Sequence, residues 1–126
     1  MELQEEVLKE MILLRERTPD VTGSIACTVD GMTIACEPEW DGAEQTAALS
    51  SALLALSRRM TTLVGKGALE ETLVSGSAGY AAFYAAGPTI VLAVVADPGA
   101  NLGLLRLEGR KAAAKLAAIA SRSGGK

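Results

Sequence analysis

Histidine is absent from this 126-residue chain, and with it go the commonest general base near neutral pH and the commonest neutral metal ligand. Aromatic residues make up only 3% of the sequence, too few for rings to fill a core. Ala, Leu, Val and Ile must fill it instead, and elements rich in Ala can approach one another closely. The two cysteines, Cys27 and Cys36, have no histidine partners and make a poor zinc site, so no metal is expected. Both sit inside apolar runs, where a buried reduced thiol is expected in preference to a disulfide. Long apolar stretches are missing as well: the longest, Thr89 to Ala96, falls far short of the roughly 20 residues a membrane-spanning helix needs. No membrane insertion is expected. The chain opens with Glu2, Glu5 and Glu6, the opposite of the basic start of a signal peptide, and a cytoplasmic location is expected.

What remains is an ordinary globular balance, 49% hydrophobic and 21% charged, which predicts one folded core. The net charge of −3 is unevenly divided. Residues 1–45 hold eleven acids against three bases, and residues 101–126 hold one acid against six bases, so the two ends should attract if terminal helices lie side by side. Arg106, Arg110, Lys111 and Lys115 have no interleaved aromatics to stack on bases, which argues against nucleic acid as a partner.

Periodicity supplies the elements. Leu3, Val7, Met11 and Leu14 recur at helical spacing over residues 2–17, with acids early and Arg15 and Arg17 late, the order a helix macrodipole favours. Two short apolar runs, Ile25–Val29 and Met32–Cys36, flank Asp30-Gly31, which predicts a tight hairpin with positive φ at both central residues. The loop Pro38–Gly42 carries the single tryptophan, Trp40, expected to cover a core edge. Over residues 43–64 a stripe of Leu49, Leu53, Leu56, Met60 and Leu63 predicts a long helix whose leucine side faces a sheet. A second side carries Ala48, Ser51, Ala52, Ala55 and Thr62, a candidate second packing face. Gly65 and Gly67 end this helix. Three strands are predicted at Leu69–Ser75, Tyr80–Ala86 and Thr89–Ala96, joined by glycine-containing turns as an antiparallel meander. The last shows no polar alternation and should be central, whereas the first is partly polar and suits an edge. A final helix carries Leu102, Leu105, Gly109, Ala112, Leu116 and Ile119, with Gly109 as a close-packing point. A single domain over residues 1–122 is expected, followed by a flexible tail, Ser123–Lys126.

Motifs for chemistry are missing. Gly65-Lys66-Gly67 lacks the phosphate-loop frame and ends a helix instead of beginning one. Ser75-Gly76-Ser77-Ala78-Gly79 is a turn between strands, not the strand-to-helix elbow of a hydrolase serine. Glu70 and Glu71, neighbours in a strand, should point to opposite faces and not converge as an acid/base pair. No catalytic residue and no cofactor are assigned.

The order helix, two strands, long helix, three strands, helix resembles the roadblock family of dynein light chains and bacterial GTPase regulators, akin to the longin and profilin folds. The resemblance covers nearly the whole chain. Its most specific points are the first hairpin, Gly23-Ser24-Ile25-Ala26 to Asp30-Gly31-Met32-Thr33-Ile34-Ala35, and the helix opening Asn101-Leu102-Gly103-Leu104-Leu105-Arg106 after a buried strand. It implies an α/β (α+β) fold, α-β-β-α-β-β-β-α, in which a five-stranded antiparallel sheet has the middle helix on one face and the terminal helices on the other. It also implies a homodimer paired through the middle helix and the following strand, here Ala48, Ser51, Ala52, Ala55 and Thr62, then Leu69, Glu71, Leu73 and Ser75. An open sheet edge is a liability that such pairing would cover.

The function implied is regulation or scaffolding of a Ras-like small GTPase in bacterial signalling, with Arg58 and Arg59 as the first side chains to test for contact. Two alternatives stand beside it. A profilin-like domain could sense a small molecule in a pocket between sheet and helix, although no polar cluster converges in the sequence to orient a ligand. A structural dimerisation scaffold would lack nucleotide dependence.

Overall fold

The structure, a computed structural model, describes residues 2–124. The elements follow in the order α1 (Leu3–Arg17), β1 (Val21–Thr28), β2 (Thr33–Glu37), α2 (Ala43–Leu63), β3 (Thr72–Gly76), β4 (Gly79–Ala86), β5 (Ile90–Ala96) and α3 (Leu102–Gly124). The five strands form one antiparallel sheet in the order β2-β1-β5-β4-β3. The uniformly apolar β5 is central and β3 is an edge, as expected from their patterning. The other edge is β2.

Side chains alternate across the sheet and so build two core layers. On one face α1 and α3 pack side by side over Ala26, Ala82, Tyr84, Leu92 and Val94, contributing Val7, Met11, Leu14, Leu105 and Leu116. On the other face α2 covers Ile25, Cys27, Phe83, Val91 and Ala93. The terminal charge asymmetry is internal complementarity: Arg122 reaches Glu6 at 3.1 Å and Lys115 reaches Glu10 at 4.0 Å between the two terminal helices. Gly109 is the close-packing point that its place in the apolar stripe predicted. A Cβ there would lie 2.7 to 2.9 Å from the ring and hydroxyl of Tyr84, so a larger residue would push α3 off the sheet.

Several sequence expectations need correction. The leucine stripe of α2 does not face the sheet: Leu49, Leu56, Met60 and Leu63 are 65%, 62%, 60% and 78% exposed, and of the five only Leu53 packs partly into the core. The helix turns inward a second stripe, Ala43, Ala47, Ser50, Leu54, Ser57 and Thr61, whose spacings of four and three are equally helical. Its small members let α2 settle close to a sheet surface that is itself rich in alanine. Among them Ser50 is satisfied inside the helix, its hydroxyl donating to the Thr46 carbonyl at 2.7 Å. The first hairpin is looser than a two-residue turn. Only Gly31 takes a positive φ, at 93°, while Asp30 does not, and the Val29–Met32 connection is tied by Met32 N–H donating to Thr28 Oγ1 at 3.0 Å.

The predicted strand from Leu69 begins only at Thr72, which frees Glu70 and Glu71 from strand alternation. Both reach Arg110, at 3.4 and 3.6 Å, contrary to the expectation that they diverge. At the far end α3 continues through Gly124, so Ser123 and Gly124 of the expected tail are helical. The rest of the expected tail, residues 125 and 126, lies outside the described residues.

Candidate interaction surface

The exposed side of α2 is set by the same helical geometry that buries its small residues. Leu49, Leu56, Met60 and Leu63 follow at intervals of seven, four and three, so they form one continuous apolar ridge. Large apolar side chains grouped this way on a protein surface mark a contact site more often than a solvated one. Beside the ridge lie the small residues singled out from sequence. Ala48, Ala52, Ala55 and Thr62 are exposed, and Ser51 is half-buried with its hydroxyl donating to the Ala48 carbonyl at 3.0 Å. The Gly31 turn closes against this flank, within 3.3 Å of the Ala48 Cα for a Cβ placed there.

Among the described residues β4 is the sole strand neighbour of β3, whose outer side therefore presents an unpaired backbone. Leu73 and Val74 are both exposed and point to opposite faces: Leu73 pairs with Ala82 on the α1/α3 side, and Val74 pairs with Ala81 on the α2 side. Ser75 is exposed near the hairpin end, and Leu69 is half-buried against the core beneath α2. Glu71 stands apart from these. Its carboxylate is held within the protomer by Arg106 and Arg110 of α3, so it fixes the entry to β3 and is not a free contact group. It also faces Tyr84. Burial first, and then the Glu71 charge, push the Tyr84 phenol up to about 12, and the hydroxyl has no hydrogen-bond partner among the described residues.

Arg58 and Arg59 are exposed on α2, and neither makes an ion pair among the described residues, unlike Arg106, Arg110 and Arg122 of α3. With Thr62 and Leu63 they line a shallow depression of about 300 Å³. The structure therefore gathers the small residues, both arginines and the ridge on one helix, with Leu73, Val74 and Ser75 on a separate sheet edge. Sequence reasoning missed the ridge and Val74 as contact candidates. The ridge was visible as a periodic stripe, but the competing stripe of small residues was the one that reached the core.

Among the described residues no group of three or more His, Cys, Asp or Glu could hold a metal ion, and no helix is long and apolar enough to cross a membrane. Cys27 and Cys36 are free thiols. Burial pushes Cys27 up to about 11, with Asp30 adding to the effect, which keeps it a poor nucleophile. Clefts of about 310 and 360 Å³ lie between α1 and α3 and along β2 up to the start of α2.

An antiparallel sheet covered on both faces, with an apolar helix ridge and an open edge left to solvent, defines a small α/β protein-interaction module. The chain belongs to the Roadblock/LC7 domain family, whose profile it matches over residues 7–96. It is 34% identical over 116 residues to the uncharacterized protein MJ0714 of Methanocaldococcus jannaschii, covering 91% of this chain and 98% of the relative. Among solved structures, the gliding protein MglB of Thermus thermophilus superposes with a TM-score of 0.86 at 21% identity, covering 97% of this chain and 93% of that one. A Roadblock/LC7 domain from Streptomyces avermitilis gives 0.79 at 25% identity, covering 86% and 92%.

Proposed function

We propose that this chain forms a homodimer through the outer side of α2 and the β3 edge, and that the dimer regulates or scaffolds a Ras-like small GTPase. The observation that carries the dimer is the ridge: four large apolar side chains, each more than half exposed, on one helix. Paired across a two-fold axis, two such ridges bury each other, with Ala48, Ala52 and Ala55 allowing the helix backbones to come close. The β3 edges, carrying Leu73 and Ser75, would join the two sheets and remove an open edge on each protomer.

The GTPase assignment rests on membership of the Roadblock/LC7 family, which by the resemblance drawn from sequence includes bacterial GTPase regulators, and on the shared fold with MglB. Arg58 and Arg59 supply exposed positive charge on the same helix, suited to an acidic partner surface. Such a regulator acts by favouring one arrangement of the GTPase switch segments and needs no catalytic group of its own. The test is calorimetry of the purified chain against a Ras-like GTPase from the same genome, loaded with GDP or with a GTP analogue. Binding that depends on nucleotide and weakens in Arg58→Glu/Arg59→Glu supports the reading. Absence of binding in both states, with hydrolysis unchanged, removes it, and equal binding in both states favours a plain scaffold.

A further inference from the structure

The second sheet edge, β2, differs in chemistry from β3. Among the described residues no backbone hydrogen bond reaches the outer side of Thr33–Glu37. A cleft of about 360 Å³ runs along this strand, bounded by Gln4 of α1 on one side and by the Trp40 loop and the start of α2 on the other. Half-buried Ile34 and partly exposed Trp40 give it an apolar floor. Its rim carries three carboxylates, Glu39, Asp41 and Glu44, and no lysine or arginine lines it. These three have no ion-pair partner among the described residues, whereas Glu37, at the end of the same strand, is paired with Arg15.

We infer that the β2 edge is a docking site for an extended, basic segment of a partner protein, added to the sheet as a further strand. The strand contributes main-chain donors and acceptors over five residues, a length of about 17 Å at the usual rise, which matches a segment of five or six residues. Lysine or arginine side chains on that segment would meet the three carboxylates and could lie over the Trp40 ring, whose face attracts cations. A second copy of this chain fits poorly, because two-fold pairing of β2 with itself would set one acidic rim against the other. The apolar, uncharged border of β3 suits a like partner, and the acidic border of β2 suits an unlike one. This inference holds whether or not the chain dimerises or meets a GTPase.

The test is a titration of the isotope-labelled full chain, followed by backbone amide and indole NMR shifts, with an eight-residue peptide alternating lysine and threonine. Saturable shifts confined to Thr33–Glu37 and the Trp40 indole are expected, and they should be lost when the peptide is N-methylated on its strand-pairing amides or carries glutamate for lysine. The variant Glu39→Gln/Asp41→Asn/Glu44→Gln, altered only at exposed positions, should keep its spectrum and bind about tenfold more weakly. No shifts at millimolar peptide would overturn the inference. So would shifts centred elsewhere, binding indifferent to N-methylation or to the triple substitution, or β2 amides already protected in a self-associated form.

Discussion

Leu56→Ala separates the two roles of α2. In the protomer Leu56 is 62% exposed, so trimming it removes little from the core, and alanine is at least as good a helix former. In a two-fold dimer the same side chain is buried twice. Each carbon removed is worth about 0.8 kcal/mol when fully buried, so three carbons with their exposed share newly covered amount to about 1.5 kcal/mol per protomer and about 3 kcal/mol per dimer. At 1.4 kcal/mol per decade, the dimer dissociation constant should rise roughly a hundredfold. Leu54→Ala is the internal control: Leu54 is buried, so it should cost the protomer about 2–5 kcal/mol and affect association only through folding. Sedimentation equilibrium over a wide concentration range reads the first effect, and urea unfolding reads the second. A wild-type chain that stays monomeric at high concentration, or a Leu56→Ala dimer as tight as wild type, refutes the ridge as a seam.

Other consequences follow from the packing on the two faces of the sheet. Gly109→Ala should lose about 1 kcal/mol of stability in urea unfolding, because the overlap with Tyr84 outweighs the roughly 1 kcal/mol that alanine gains in helix propensity. The Tyr84 phenol sits at about 12 in the folded chain against 10.0 ordinarily, so the fold favours its protonated form. That stability is present in full below pH 10 and is lost as pH rises through 12, which urea midpoints measured from pH 9 to 12 should show, with a smaller loss in Tyr84→Phe. Cys27, buried and pushed up to about 11, should react with a disulfide reagent at pH 8 only as fast as the protein opens, whereas Cys36, half-buried, should react in the native state. Equal rates for the two thiols would contradict their placement.

Most of the architecture is legible in the sequence because each element carries a local signal that no tertiary contact opposes. The uniform apolarity of Ile90–Ala96 announces a strand covered on both faces, and the acids of α1 and bases of α3 announce their pairing. The orientation of α2 is not legible, because two helical stripes compete and hydrophobicity alone picks the leucines. What decides the matter is space: a sheet face of Ala81, Ala85 and Ala93 leaves room for a close approach through Ala47 and Ser50, and leucines there would hold the helix away. The start of β3 was misplaced for a related reason. Glu70 and Glu71 read as an alternating strand, yet the arginines that claim them lie about 35 to 40 positions further along the chain.

The error over α2 is itself informative about function. Within a lone protomer, turning leucines outward and alanines inward forgoes hydrophobic free energy, since a leucine buries far more apolar area than an alanine. Such an inversion is sustainable when the outward leucines are covered by something outside the protomer. The terminal-helix face shows the contrast: Arg106, Arg110, Lys115 and Arg122 of α3 are paired with Glu6, Glu10, Glu70 and Glu71 of the same chain. On the α2 face Arg58, Arg59 and the ridge have no such partners among the described residues. The fold thus completes one face from its own residues, and the proposed pairing through α2 would complete the other by covering the ridge.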